Sequence, residues 1–256
     1  MIKTPSLNIV AIPGIPLIKA GDDLGRIIVT ACENSGYKLQ NTDILVVSSK
    51  IVSKSEGRLV DLREVTPSQQ AIQVAAETQK DARLVELVLQ ESEEVSRARP
   101  SVLVTRHRLG FVSANAGIDQ SNVGADSEDF VLLLPPDPDA SAEALRHAIK
   151  ARASTHVGIV ISDSHGRPFR LGNVGVAIGV AGMPALIDLR GQPDLFGREM
   201  QISTQGFADL VASAAHLVCG EGNEGLPVVL VRGLELENRQ GKASDLVRPA
   251  QQDLYR

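Results

Sequence analysis

The chain has 256 residues, 43% hydrophobic and 22% charged, with a formal net charge of -5. That length suffices to bury a core, and the acidic balance argues against nucleic acid as the main partner, because phosphate backbones want a basic face. The apolar N-terminal run is interrupted by Pro13, Gly14 and Pro16 and carries no cleavage-site pattern, and Cys32 and Cys219 stand in no metal-ligand spacing, so a cytoplasmic protein without disulfides and without a membrane partner is expected.

In chain order, Leu24, Ile27, Ile28 and Ala31 recur at helical spacing after acids, which predicts a helix from Asp22 to Asn34. A strand follows at Asp43–Ser48 and runs into a polar loop, SSKIVSKSEGR. Pro67 suits a first helical position, so helices are expected over Pro67–Glu77 and Asp81–Glu91. Two strands joined near Leu109-Gly110 lead to a loop from Asn115 to Asn122. After the connector PPDPDAS, Ser141 is expected to cap a helix ending near Ala153. HVGIVISDSHGR reads as a buried strand opening into a loop, and VGVAIGVAG and PALIDLRG read as glycine-rich strands. An amphipathic helix at Phe207–Val218 precedes a closing strand at Val228, and the polar tail from Glu235 is expected to be loose. Helices and strands mix without strict alternation, so the expected class is α+β, with mixed sheets and packed helices.

Gly220 to Gly225 spell GEGNEG, the pattern of a dinucleotide-binding loop. Such a loop needs a strand before it and a helix after it; here the helix comes first. Glu221 and Glu224 would also repel a pyrophosphate unless a cation stood between them. A glycine C-cap and a metal-bridged phosphate site are the two remaining readings.

Asp119 in NAGIDQSN and Asp163 in VISDSHGR each follow an apolar run. Acids delivered to strand ends suit Mg²⁺ or Mn²⁺, although turn capping is the common role of a single such Asp. With Glu221, three acids come from three distant segments. Ser49, Lys50, Ser53, Lys54 and Arg58 offer hydroxyls and cations, with Lys54 as a point charge for phosphate. Arg167, Arg170 and Arg198 are guesses for anion contacts. His165 could serve as a base, but it is read in a loop and a lone His is usually structural; Cys219 has no paired base.

Assembled, the segments resemble the coenzyme F-420 gamma-glutamyl ligase family from about Ile9 to Leu234. The carriers include GIPLIKAGDDL, DILVVSSKIVSKSEGR, ESEEV, NAGIDQSNV, LLLPPDPDASAEALR, SDSHGRPFRLGNVGVAIGVAG, DLRGQPDLFGREMQIST and GEGNEGLPVVLVRG. The resemblance implies one gamma-glutamyl ligase-type module of one or two lobes. It implies GTP-dependent addition of one or more L-glutamates, gamma-linked, to the deazaflavin precursor F-420-0 through an acyl phosphate. Mn²⁺ or Mg²⁺, help from K⁺, and a homodimer are implied with it.

Carried over by position, Asp119, Asp163, Ser164 and Glu221 match the family's metal site, and Asp119, Asp163 and Lys54 are the implied catalytic residues. Implied nucleotide contacts are Ile15, Pro16, Leu17 and Ile18, then Ser49, Lys54 and Asn122. The loop Cys219, Gly220, Glu221, Gly222, Asn223, Glu224, Gly225 and Leu226 completes them. Ser164 stands where the family often has threonine, which keeps the hydroxyl. Some members carry a fused nitroreductase-like domain, and none is expected here. Two alternatives stay open: a paralogous GTP- and metal-dependent ligase for another carboxylate, and a non-catalytic binding protein of the same fold.

Overall fold

A computed structural model of the chain describes residues 5–124, 129–235 and 240–253. At its centre lies a five-stranded sheet in the order β1 (Asn8–Ala11), β12 (Val228–Arg232), β2 (Ile44–Ser48), β8 (Gly158–Arg167) and β9 (Arg170–Ala181). Only β2 and β8 pair in parallel; the other three neighbours are antiparallel. The sheet is buried on both faces, which is why β2 reads as an unbroken apolar run. Leu45 and Val47 point into one core cluster, and Ile44 and Val46 into the other, as the two-residue period of a strand requires.

Helices cover both faces. α1 (Leu24–Asn34) and α5 (Pro138–Ala153) pack against one, burying Ile28 and Ile149 completely. α6 (Phe207–Cys219) covers the other with Phe207, Val211, Ala212 and Ala215. A fully buried Ile or Leu contributes roughly 1.5–3 kcal/mol, so these stripes hold the layers together. Two glycines of β9 permit the close approach. A Cβ at Gly179 would sit 2.3 Å from the Pro138 carbonyl oxygen of α5, and one at Gly175 would sit 2.6 Å from the Ala212 oxygen of α6.

A third core is built from α3 (Gln69–Thr78), α4 (Ala82–Gln90), the pair β3 (Leu59–Asp61) and β7 (Phe130–Leu132), and the sheet β4 (Ser92–Arg99), β5 (Val102–His107), β6 (Val112–Ala114). The remaining pair is β10 (Leu186–Asp188) with β11 (Thr204–Gly206). The α+β class is borne out.

Several boundaries differ from expectation. The loop after β2 is a helix, α2 (Ser49–Ser55), because docking Ile51 and Val52 into the main core outweighs its polar composition. Ser68, not Pro67, lies at the start of α3, where its side chain accepts from Ala71 N–H. α5 starts at Pro138, capped by Asp137, three residues before Ser141. The strand at Gly158 runs on through Arg167, because β9 supplies a partner along its whole length, so Asp163 lies within a strand. β1, β3, β4, β7 and β11 were not anticipated; β4 is largely exposed and charged, with little alternation to read. Part of the tail is packed: Ala243 is buried and its N–H donates to Asp139 Oδ1. Residues 236–239 and 254–256 of that tail lie outside the described residues. No described helix is long and apolar enough to cross a membrane.

Candidate active site

One end of the central sheet collects most of the residues singled out above. β2 and β8 run parallel, so their C-terminal ends emerge together, with Ser48 beside Ser162. β12 runs the opposite way and brings the glycine loop to the same end, where Ser48 N–H donates to Pro227 O at 2.9 Å. β1 delivers its own C-terminal end there, where Ile12 N–H donates to Val228 O at 2.9 Å. Ile15–Ile18 follow directly. Ile15 and Ile18 pack into the main core, while Leu17 is 90% exposed.

Asp163 is buried and accepts two bonds, from Ser49 Oγ at 3.0 Å and from His165 Nε2 at 3.0 Å. Burial alone would push its pKa up, but His165, Lys50 and Ser49 outweigh that and hold the carboxyl below its ordinary range. A bulge between Ile161 and Ser162 precedes it, the kind of irregularity that re-aims a side chain beside a site. Asp119 forms an isolated bridge with Leu132 and pairs with Lys50, Nζ to Oδ2 at 2.5 Å. Burial and the nearby Asp163 raise its pKa, and Lys50 opposes them.

α2 thus presents Ser49, Lys50 and Lys54 to the acids and the loop from Asn115. Lys54 Nζ donates to the Asn122 carbonyl at 2.6 Å, and Asn122 Nδ2 donates to the Gly222 carbonyl at 3.0 Å. Burial first, and Lys50 second, lower the Lys54 pKa. Glu221 accepts from Ser164 Oγ at 2.6 Å. Ser164 lies on the α6 side of the sheet, opposite in facing to Asp163, as adjacent strand positions must be.

The loop itself has the helix-before-strand order read from the sequence. Gly220 is the C-cap of α6 with φ +70°, and a Cβ there would meet the Glu224 carboxyl within 2.5 Å. Glu224 Oε2 accepts from Gly222 N–H at 2.8 Å, closing the turn. Burial pushes the Cys219 thiol up, away from nucleophilic reactivity.

The donor set of Asp119, Asp163, Glu221 and Ser164 is hard oxygen, of the type that suits Mg²⁺ or Mn²⁺. Among the described residues, however, no three His, Cys, Asp or Glu side chains converge closely enough to hold a metal ion. Each acid is instead held by a protein donor. Arg167 donates to the Leu171 carbonyl in the β8–β9 hairpin, and Arg198 lies in an exposed segment.

One histidine escaped the sequence reading, and another was read there as a lone residue. His165 is partnered with Asp163. His216, on α6, lies 3.8 Å from Glu221 Oε1, and its buried Nδ1 has no hydrogen-bond partner among the described residues. The only available signal was position: His216 precedes the glycine loop by one helical turn.

The arrangement is a cluster of carboxylates, lysines and hydroxyls beside a glycine turn at one end of the sheet. The F420-0:Gamma-glutamyl ligase family model matches residues 14–233. The chain is 43% identical to the Coenzyme F420:L-glutamate ligase of Methanopyrus kandleri over 98% of both chains. It is 43% identical to that of Archaeoglobus fulgidus over 98% of this chain and 96% of the relative. With that of Methanocaldococcus jannaschii the identity is 40% over 94% of each. The chain belongs to the F420-0:gamma-glutamyl ligase family.

Proposed function

We propose that the chain is a GTP-dependent ligase that adds one or more L-glutamates to F-420-0. The observation that carries this reading is the Ser49–Asp163, Lys50–Asp119, Lys54–Asn122–Gly222 and Ser164–Glu221 constellation at one sheet end. A carboxylate is a poor electrophile. Transfer of the GTP γ-phosphoryl to it gives a mixed anhydride and GDP; attack by the glutamate amine then forms the amide, expels phosphate and loses a proton. The first step needs charge neutralisation and positioning more than a protein nucleophile.

Lys54 supplies a positive charge at the glycine turn, and Lys50 a second one beside Asp119. Asp119 with Asp163, and Glu221 with Ser164 on the other side of β8, would hold Mn²⁺ or Mg²⁺, which would neutralise charge on the transferred phosphoryl group; the family resemblance adds K⁺ as a helper. Ser49 and His165 fix the Asp163 rotamer. The Gly220–Leu226 turn and Ile15–Ile18 border the nucleotide.

A homodimer is part of the proposal. Phe169 and Leu171 at the β8–β9 tip, with Leu195 and Phe196, are each more than 90% exposed, a load of apolar surface unusual for a monomer.

The test is mass spectrometry of purified protein with F-420-0, L-glutamate, GTP and Mn²⁺, omitting GTP or metal in controls. Glutamyl mass increments that require both support the reading. No increment from folded protein rejects it in favour of a paralogue for another acid.

A further inference from the structure

A cavity of about 370 Å³ opens beside β9, outside the constellation of acids. Its walls are the β5–β6 turn, the N-terminal ends of α5 and α6, and the packed tail from Ala243. It adjoins the acids directly. Val176, on its floor, stands opposite Asp163 in the β8–β9 register, and opposed residues of an antiparallel pair share a face. His165 serves both places: its ring lines the cavity, and its Nε2 holds Asp163.

The lining defines the ligand class. Phe111 and His165 present two rings 4.9 Å apart, tilted by 52°. Val176, Ile178 and Leu246 add apolar wall. The carboxylates are largely committed to backbone. Asp137 caps α5 through Ala140 N–H, and Asp139 Oδ1 accepts from Val180 and Ala243 N–H. Asp209 Oδ1 accepts from Ala177 N–H at 2.8 Å, so Oδ2 is the oxygen a ligand would meet.

Among the described residues no lysine lines the cavity and Arg248 is its one arginine, a poor match for several phosphates or for a dicarboxylate. A neutral fused ring fits better. It gains apolar and ring-edge contact along Phe111, Val176 and Ile178, and an edge N–H finds an acceptor at Asp209. The volume lies at the lower end of ligand pockets, roughly 300–1,000 Å³, enough for one ring system.

We propose that this cavity binds the deazaflavin ring of the precursor, with its phosphate-bearing arm leading past His165 to Asp163. The inference rests on the ligase reading for the identity of the ring. The probe is the deazaflavin carrying its ribityl chain but no phosphate or carboxylate, titrated by its own fluorescence without GTP or metal.

Wild-type protein is expected to bind it. Val112→Trp, at the partly exposed rim, and Asp209→Asn, which keeps the Ala177 bond but turns an acceptor into a donor, should each weaken binding at least 10-fold. Absence of binding to wild type overturns the proposal. So does equal binding to both variants, or competitive displacement by guanosine, which would make the cavity a base site for the nucleotide. Glutamyl transfer measured in parallel separates the two readings. Ring binding lost in the variants supports the cavity even if transfer fails, whereas transfer by wild type with unchanged ring binding in the variants sinks the cavity alone.

Discussion

Lys50 Nζ lies 2.5 Å from Asp119 Oδ2, so a residue of α2 neutralises an acid sixty-nine positions further along the chain. Both side chains are about a quarter exposed, so the pair lies between the cheap surface case and the costly buried one. Lys50→Met should lower stability by about 1–3 kcal/mol in metal-free buffer, seen as a fall in Tm. If Asp119 is a cation ligand, Mn²⁺ should restore part of that fall through binding to the native state. A Tm indifferent to Mn²⁺ in the variant would remove Asp119 from the metal site.

Lys54 is expected to act on the nucleotide. Its charge-assisted bond reaches the Asn122 carbonyl beside the glycine turn. Such bonds contribute about 1.5–3 kcal/mol, so Lys54→Met should weaken GTP binding on the order of 10- to 100-fold. Calorimetric titration with GTP and Mn²⁺ reads this directly; unchanged affinity would assign Lys54 to loop packing only.

Glu91 controls acid stability. It is bound by Arg58 at 2.8 Å and Arg108 at 3.0 Å, with His107 Nε2 at 3.5 Å. Burial pushes its pKa up, but these neighbours outweigh it and bring the pKa from 4.5 to about 2. A depressed carboxyl stabilises the fold above its unfolded pKa, and that contribution fades as pH falls from 4.5 toward 2. Its size is on the order of 2–3 kcal/mol. Denaturant melts of Glu91→Gln should show lower stability at neutral pH and a flatter decline in that acid window. A decline as steep as wild type would contradict the assignment.

Gly175 sets the contact between β9 and α6. A Cβ would meet the His216 ring within 2.4 Å and the Ala212 carbonyl within 2.6 Å. The backbone oxygen cannot swing aside, so Gly175→Ala should cost about 1–3 kcal/mol. It should also displace His216 from Glu221. Thermal melts check the first effect; an unchanged Tm would mean that α6 slides freely on the sheet.

The exposed apolar tip predicts the oligomeric state. Sedimentation should give a particle of two 27.2 kDa chains, and the double variant Phe169→Asp, Leu171→Asp should sediment as one chain. A monomeric wild type would reject the homodimer.

Local chemistry was written plainly in the chain. The apolar runs of β2, β8 and β12 and the stripe of α6 follow from strand and helix periods, whereas the helix starts were less legible: Ser68 rather than Pro67 opens α3, and Asp137, four positions before Ser141, caps α5. Asp119, Asp163 and Glu221 stood out because apolar segments carry them to their ends or beyond. Their partners did not, since Ser49 meets Asp163 across 114 residues and Asn122 meets Gly222 across 100. Those meetings depend on the parallel β2–β8 register and the reversed course of β12, which side-chain periodicity alone does not encode. α2 was hidden for a related reason. Ser49 and Ser53 are only 1% exposed, and a seven-residue helix with buried hydroxyls is stabilised by docking rather than by propensity. Residue order specified which groups were available; strand register and core packing decided which of them face one another.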